Sequence, residues 1–252
     1  MSRREIDLWS PAIGSVGTVL AYGHFGRPVL VFQSEAGRAA DFESNGMIEA
    51  VADLLDAGQV KLYCVDSYDA SSWSNRAIPL EERARRHGAF ESWIVDQVTP
   101  WIHEDCGGPL DVLTTGCSMG AFHAANFTLR RGDLFSRALC MSGNYDPTSW
   151  YGWGEQGDAL YFQNPLAYVG GLHGEHLDWL RRQVHLVLVC GQGMWEDTTG
   201  ALANTRRLAA LLAEKDVPHE LDVWGYDVAH DWPWWRRQLA HHLHRICGEG
   251  GR

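Results

Sequence analysis

Short apolar, β-branched runs alternate with longer segments of helical character along most of this chain. This alternation predicts a mostly parallel sheet with helices on both faces, which is an α/β architecture. Residues 28–32, PVLVF, are apolar throughout, as expected of a central strand buried on both faces. The predicted strands are residues 5–8, 17–22, 28–32, 60–65, 110–115, 137–142, 184–190 and 218–224, the first two as an antiparallel pair.

Helical segments are predicted between these strands, where apolar residues recur every three or four positions. They cover residues 46–57, 90–102, 121–130, 201–214 and 235–246. Pro100 should kink or divide the second of them. Residues 143–180 are rich in Gly, Asn, Tyr and Trp without a clear period, so we expect an irregular insertion over one edge of the sheet. No linker interrupts the chain, which predicts a single domain over residues 1–252.

The composition limits the compartment and the partners of the protein. A formal net charge of -11 argues against binding to a nucleic-acid backbone, which requires clustered Lys and Arg. No stretch approaches the ~18 consecutive apolar residues of a membrane span, and the first residues lack the apolar run of a signal peptide. The six cysteines are dispersed and mostly flanked by apolar residues, which indicates buried thiols. We therefore expect a cytoplasmic protein without nucleic-acid or membrane partners.

The sequence Gly116-Cys117-Ser118-Met119-Gly120 matches the pattern G-x-S-x-G directly after a predicted strand and before a predicted helix. In that setting a serine sits on a sharp turn, and glycines on either side let the strand and the helix approach closely. Its hydroxyl is thereby presented above the sheet. The pattern predicts Ser118 as a nucleophile and the backbone N–H of Met119 as a donor to an oxyanion.

A serine hydroxyl needs a base to remove its proton, so this interpretation requires a histidine later in the chain. His230 follows the last predicted strand across a short Gly-containing loop and precedes the final helix, which is the position that the order Ser, acid, His requires. We interpret His123 as a packing or site-lining residue. The remaining candidates, His241, His242 and His244, belong to a polar C-terminal helix and are expected at its solvated surface.

The acid that orients this histidine is expected in the loop after the strand at residues 184–190. That loop contains two neighbouring carboxylates, Glu196 and Asp197. We favour Asp197 and keep Glu196 as the alternative. The unused residue would complement the dipole of the next helix.

A second oxyanion donor should come from the loop after residues 28–32. That loop reads Gln33-Ser34-Glu35-Ala36-Gly37 and lacks the sequence His-Gly-Gly-Gly. Because the donor is a backbone N–H, the side chains do not exclude this loop. They do not show which of its N–H groups is the donor. Glu35 is our choice for the donor, with Ser34 as the alternative.

A resemblance to a known family rests on residues spread over nearly the whole chain. Its marks are residues 28–32 leading to Gly37, Asp66-Ser67, residues 72–75 (SWSN), Arg86-His87, residues 116–120, Asn164-Pro165 and residues 230–235 (HDWPWW). With these marks the chain resembles the putative esterase family of the α/β hydrolases, which is related to S-formylglutathione hydrolase, enterochelin-esterase-type enzymes and mycolyltransferases. The resemblance implies the α/β-hydrolase fold, catalytic roles for Ser118 and His230, and an acid after Gly191. Many relatives carry Asp three residues after this glycine, where the chain has Met194, so both carboxylates stay open.

The leading hypothesis is therefore a serine esterase that cleaves an ester or thioester of a small molecule through an acyl-enzyme on Ser118. The alternatives are an acyltransferase with the same triad and a non-catalytic member that binds a ligand. We expect no cofactor and no metal, because no HExxH or comparable ligand spacing occurs. Homo-oligomer formation is left open. Several tryptophans are candidates for an aromatic wall of the site: Trp73, Trp150, Trp153, Trp195 and Trp232.

Overall fold

The computed structural model describes residues 2–248, which form eight strands and ten α-helices. The strands are β1 (Arg3–Ser10), β2 (Ser15–Tyr22), β3 (Arg27–Phe32), β4 (Val60–Val65), β5 (Leu113–Cys117), β6 (Arg137–Met141), β7 (His185–Cys190) and β8 (His219–Val223). The helices are α1 (Asp41–Ser44), α2 (Ala52–Asp56), α3 (Leu80–Trp93), α4 (Thr99–Asp105), α5 (Met119–Arg130), α6 (Asp158–Phe162), α7 (Pro165–Gly171), α8 (Gly174–Gln183), α9 (Ala201–Glu214) and α10 (Trp232–Gly248).

All eight strands join one sheet in the order β1-β2-β4-β3-β5-β6-β7-β8. Strand β2 is antiparallel to both β1 and β4, and the remaining neighbours pair in parallel. The α/β-hydrolase fold with a mostly parallel central sheet is thus confirmed. Strand β5 begins at Leu113, three residues later than predicted, and runs through Gly116.

The sheet separates two apolar layers, because successive side chains of a buried strand point to opposite faces. In β3, Leu30 and Phe32 pack into the layer that contains α3, α5 and α9, whereas Val29 and Val31 pack into the layer that contains α2 and α10. All four side chains are at most 1% exposed. The central strand is therefore packed on both faces up to the carboxyl end of the sheet, where the functional loops begin.

The helix predicted around Pro100 belongs to a longer helical run, and the predicted break lies just before the proline. Between α3 and α4, residues Ile94–Val98 form a π-helical turn, and Pro100 lies in the first turn of α4. A proline has no N–H for the intrahelical ladder, so the first turn of a new helical segment accommodates it. The helix predicted at 46–57 is also divided, into a 3₁₀ turn at Glu49–Val51 and the short α2.

The segment 143–180, which was predicted to be irregular, contains the short helices α6 and α7 and most of α8. The N-terminus of α6 is capped from another helix, because the carboxylate of Glu81 in α3 accepts the N–H groups of Gly157, Ala159 and Leu160. Asn164 caps α7 through Leu166 N–H. Helices of five to seven residues have little intrinsic stability. Tertiary contacts stabilise them, so the sequence of this segment shows no periodic apolar pattern.

Within residues 2–248, none of the helices combines the length and the apolar character that a membrane crossing requires.

Candidate active site

Ser118 lies on the sharp turn between β5 and α5. Its backbone has φ 57 and ψ -121, a combination that residues with a Cβ rarely adopt. The hydrogen bond from Ser118 N–H to Met141 O, at 2.9 Å, holds the turn against strand β6. This strained conformation lifts the side chain of Ser118 above the carboxyl end of the sheet, where it is partly exposed.

The two glycines that flank the turn are required by close backbone contacts. A Cβ on Gly116 would lie 2.4 Å from the carbonyl carbon of Gly120. A Cβ on Gly120 would lie 2.3 Å from Phe32 O, a backbone atom of the neighbouring strand β3. Because backbone atoms cannot turn aside as a flexible side chain does, any larger residue at either position forces the strand and the helix apart.

His230 lies in the loop between β8 and α10, with its ring beside the serine. Its Nε2 is 2.9 Å from Ser118 Oγ, so the hydroxyl donates to an unprotonated Nε2. The backbone N–H of His230 donates to Met194 O at 2.9 Å, and the edge-to-face ring of Trp235, with centroids 5.0 Å apart, supports the imidazole. The structure therefore brings Ser118 and His230 into hydrogen-bond contact across 112 residues of sequence.

The carboxylate that meets His230 belongs to Glu196, and the preference for Asp197 is corrected. Nδ1 of His230 donates to Glu196 Oε2 at 3.0 Å. Asp197 is exposed and accepts the N–H of Thr198 at 2.8 Å. The backbone explains the difference: Trp195 has φ 69, and this left-handed residue turns the next side chain inward and the one after it outward.

The loops after β7 and β8 pack directly on each other, and this contact brings Glu196 and His230 together. Gly193 N–H donates to Val228 O at 2.8 Å. A Cβ on Gly191 would lie 2.2 Å from the same carbonyl oxygen, so the approach depends on glycine. Gly191 and Gly193 therefore allow the loop that carries Glu196 to pack closely against the loop that carries His230.

The Glu196 carboxylate is fully buried and is held by four donors. Besides His230, these are Ser142 Oγ at 2.6 Å, Gly191 N–H at 3.2 Å and Cys190 Sγ at 3.4 Å. Burial alone raises the pKa of this carboxyl, but the hydrogen bonds from His230 and Ser142 outweigh burial, so the pKa of Glu196 lies below its ordinary value. Glu196 is thus an anion that fixes the His230 tautomer and offsets the charge of an imidazolium.

Two residues that sequence reasoning missed hold this carboxylate in place. Ser142, the first residue after β6, donates to Glu196 and accepts from Trp235 Nε1 at 3.1 Å. Ser142 has a left-handed backbone with φ 54, and nothing in the sequence marks that conformation. Trp235 lies five residues after His230 in the sequence HDWPWW, and this short separation is the signal that places its ring beside the imidazole.

The candidate oxyanion donors are backbone N–H groups of residues that line the same cavity as Ser118. Met119 is the first residue of α5, so its N–H has no acceptor within the helix. In the loop after β3, Ala36 N–H donates to Asp69 Oδ2 at 3.3 Å and Gly37 N–H donates to Ser34 O at 3.0 Å. Glu35, which precedes them, lines the same cavity as Ser118 and Met119.

A cavity of about 460 Å³ opens at Ser118 and His230. Of the five tryptophans proposed as its wall, Trp73 and Trp150 line it, whereas Trp153, Trp195 and Trp232 do not. Tyr151 also lines it, with the Arg76 guanidinium 4.2 Å from the centre of its ring. Polar residues also line the cavity, among them Asn144, Ser149, Asp197, Thr198, Thr199 and Asn204.

One group of metal-ligating side chains occurs within residues 2–248, at the C-terminal helix and away from Ser118: Asp222, His241 and His242. His242 is 2% exposed, in contrast to the solvated position expected for it. Its Nε2 donates to Asp222 Oδ2 at 2.9 Å, while Arg245 donates to its Nδ1 at 3.4 Å. Because Arg245 can only donate, the proton lies on Nε2, and the ring offers no lone pair toward Asp222 and His241.

Comparisons with known proteins agree with this fold. Several solved structures superpose on nearly the whole chain. A ferulic acid esterase does so with a TM-score of 0.73 at 15% identity, covering 98% of this chain and 97% of that chain. S-formylglutathione hydrolase of Staphylococcus aureus gives a TM-score of 0.70 at 13% identity (98% and 97% covered), and MPT51 of Mycobacterium tuberculosis gives 0.74 at 14% identity (98% of each chain covered). At these identities the likeness establishes the fold. A search of curated proteins gave no match.

The family comparison is more specific than the likeness of folds. The family model described as "Putative esterase" matches residues 31–246, which include Ser118, Glu196 and His230. The chain belongs to this esterase family of the α/β hydrolases and is an ester-hydrolysing enzyme.

Proposed function

We propose that Ser118, His230 and Glu196 form the catalytic triad of this esterase, acting on an ester or thioester of a small molecule. The observation that carries the proposal is the pair of contacts made by one imidazole ring, 2.9 Å to Ser118 Oγ and 3.0 Å to Glu196 Oε2. This is the arrangement of nucleophile, base and orienting acid that acyl transfer to serine requires.

The steps of the reaction follow from these contacts. His230 Nε2 takes the hydroxyl proton as Ser118 Oγ attacks the acyl carbon, and Glu196 stabilises the resulting imidazolium. Met119 N–H and Glu35 N–H are the proposed donors to the tetrahedral oxyanion. The proton on Nε2 then passes to the leaving alkoxide or thiolate. A water that gives a proton to His230 then attacks the acyl carbon, and His230 returns this proton to Ser118 Oγ as the Oγ–acyl bond breaks and the acid is released.

Hydrolysis is favoured over acyl transfer to an alcohol, although both use the same three residues. Ser118 and His230 are partly exposed at a cavity lined in part by polar residues, so water reaches the acyl-enzyme. Acyl transfer requires a site in which an alcohol displaces this water. The non-catalytic alternative is disfavoured because the whole triad is in hydrogen-bond contact.

We also propose that the enzyme works in a reducing compartment such as the cytoplasm. All six cysteines are free thiols, and four of them are buried. Burial raises the pKa of Cys64 and Cys117, so these thiols stay protonated and unreactive.

Hydrolysis of p-nitrophenyl acetate by the Ser118→Ala variant tests the proposed nucleophile. Loss of a triad nucleophile lowers kcat by on the order of 10⁴–10⁶, and Ser44→Ala, at an exposed serine at the end of α1, is the matched control with full activity. A residual rate above about 1% in Ser118→Ala would assign the reaction to another group.

A further inference from the structure

A second cluster of titratable side chains lies buried beside the active site, in the apolar layer of α3 and α5. Asp69, His87 and His123 are each at most 1% exposed. Aromatic rings contact the two imidazoles from several directions: Phe32, Trp73, Phe90, Phe122 and Phe127. In such surroundings an uncompensated charge or an unpaired polar atom is strongly unfavourable.

Three hydrogen-bond contacts join these groups into a chain. Asp69 Oδ1 is 3.0 Å from His123 Nε2, His123 Nδ1 is 3.0 Å from His87 Nε2, and His87 Nδ1 is 2.8 Å from Gln163 Oε1. Every ring nitrogen of the two histidines is thereby engaged. The chain has an oxygen at each end.

The oxygen at the Gln163 end can only accept a hydrogen. Gln163 Nε2 donates to the carboxylate of Glu91 at 2.8 Å, and Glu91 is paired with Arg130 at 3.1 Å. Asn126 Nδ2 donates to Gln163 Oε1 at 2.7 Å, while the other end of the Asn126 amide accepts from Tyr168. This orientation leaves Oε1 facing His87, since the reverse amide would oppose an oxygen to the carboxylate.

The three contacts need one proton more than an ionised Asp69 and two neutral histidines carry. Three contacts between acceptors at both ends need three hydrogens. Two neutral imidazoles supply two hydrogens, and an ionised Asp69 supplies none. A third proton therefore completes the chain, and with it the net charge of Asp69, His123 and His87 is zero.

The position of the third proton follows from the surroundings of His87. Burial, together with the neighbouring His123 and Arg130, lowers the pKa of His87 well below its ordinary value. His87 is therefore neutral and donates from Nδ1 to Gln163. His123 donates from Nδ1 to His87, which leaves the third proton in the contact between His123 Nε2 and Asp69 Oδ1.

The chain is tied to both sides of the proposed oxyanion site. Asp69 Oδ2 accepts the N–H of Ala36 at 3.3 Å, next to Glu35 in the loop after β3. His123 belongs to α5, the helix that begins at Met119. A complete chain therefore sets the distance between the Glu35 loop and the first turn of α5, the two elements that carry the proposed donors.

We propose that Asp69, His123 and His87 share this third proton and act as positioning residues, because the closed, neutral chain holds the Glu35 loop against α5. The positioning role rests on the function proposed for Ser118, whereas the proton count does not. Without the third proton the buried carboxylate is uncompensated and one contact has no hydrogen, which is strongly unfavourable in these apolar surroundings.

Histidine NMR on ¹⁵N-labelled protein tests the proton count without reference to activity. We expect three low-field, exchange-protected protons from this chain in the wild type, after the His230 signal is identified by its loss in His230→Gln. Asp69→Asn should show only two, because an asparagine amide donates to His123 Nε2 and needs no extra proton. Two such protons in the wild type, or three in Asp69→Asn, would overturn the proposal.

Kinetics of two Asp69 variants test the positioning role. Asp69→Asn keeps both contacts, to Ala36 and to His123, so kcat at pH 7 should stay within about threefold of wild type. Asp69→Leu breaks both and should lower kcat at least about tenfold at nearly constant KM, as expected for a displaced oxyanion donor. The exposed Asp133→Asn is the matched control. A tenfold loss in Asp69→Asn, or wild-type kcat in Asp69→Leu, would contradict it.

Discussion

Glu196 Oε2 accepts a hydrogen bond from His230 Nδ1 at 3.0 Å, while the adjacent Asp197 faces solvent. The two carboxylates are neighbours in sequence, yet only one is buried. Their environments therefore assign them different roles.

Exchange of each carboxylate for its amide should separate these roles. Glu196→Gln leaves the imidazole without an anionic partner and should lower kcat by on the order of 10⁴. Asp197→Asn, the matched control, should change kcat less than about tenfold, because its exposed carboxylate lines the cavity and accepts Thr198 N–H, whereas His230 donates to Glu196. Steady-state kinetics on p-nitrophenyl acetate measure both, and the reverse order would return the acid role to Asp197.

The stability of the fold should depend on pH through Glu196. The folded-state pKa of this carboxyl lies below its ordinary value of 4.5. Its contribution to the free energy of unfolding is therefore complete above pH 4.5 and is lost as the pH falls through the folded-state pKa. The difference in Tm between wild type and Glu196→Gln should be largest near neutral pH and shrink below about pH 4.5. Thermal unfolding at a series of pH values measures it. A difference that grows on acidification would contradict this sign.

Ser142→Ala should weaken the site without removing a reacting group. The variant removes the 2.6 Å hydrogen bond that Ser142 donates to Glu196. It also leaves the buried Nε1 of Trp235 without its acceptor. We expect a loss of about 1–3 kcal/mol in the free energy of unfolding and a fall in kcat of roughly tenfold, as for other groups that orient a functional side chain. Denaturant unfolding and kinetics measure the two effects. Full activity in this variant would mean that Glu196 keeps its position without Ser142.

Gly120→Ala should disrupt the elbow through packing alone. The added Cβ would lie 2.3 Å from Phe32 O, and a backbone atom cannot move aside, so we expect destabilisation of about 1–3 kcal/mol or more. Activity should fall with it, because the turn that presents Ser118 is displaced. Gly170→Ala in helix α7 is the control, since its added Cβ would lie 3.9 Å from Leu211 Cδ2 of helix α9, an ordinary van der Waals contact. Equal stability of the two variants would show that the elbow adapts.

The contact between Ser118 and His230 was predictable because its sequence signals are local. G-x-S-x-G after a strand describes a turn whose geometry is nearly complete within five residues, and His230 follows from the chain order of the last strand and helix. The choice between Glu196 and Asp197 was not predictable. It depends on the left-handed backbone of Trp195, a residue type that gives no hint of such a conformation.

The fold shows the same division between local and tertiary signals. Strand β7 and helix α9 match their predicted ranges almost residue for residue, because each carries a strong apolar pattern. Helix α6 depends on capping by Glu81 from another helix. The buried chain through His87 and His123 likewise forms only when α3 and α5 pack together, so single histidines in the sequence do not reveal it.

Intact-mass analysis after reaction with a fluorophosphonate tests the central claim most directly, since this probe bonds covalently only to an activated serine. The account predicts one adduct per chain in the wild type, located by peptide mapping on the peptide that carries Ser118, and none in Ser118→Ala or in His230→Gln on the same time scale. An adduct on Ser118→Ala, or a wild type that stays unlabelled while folded, would contradict it.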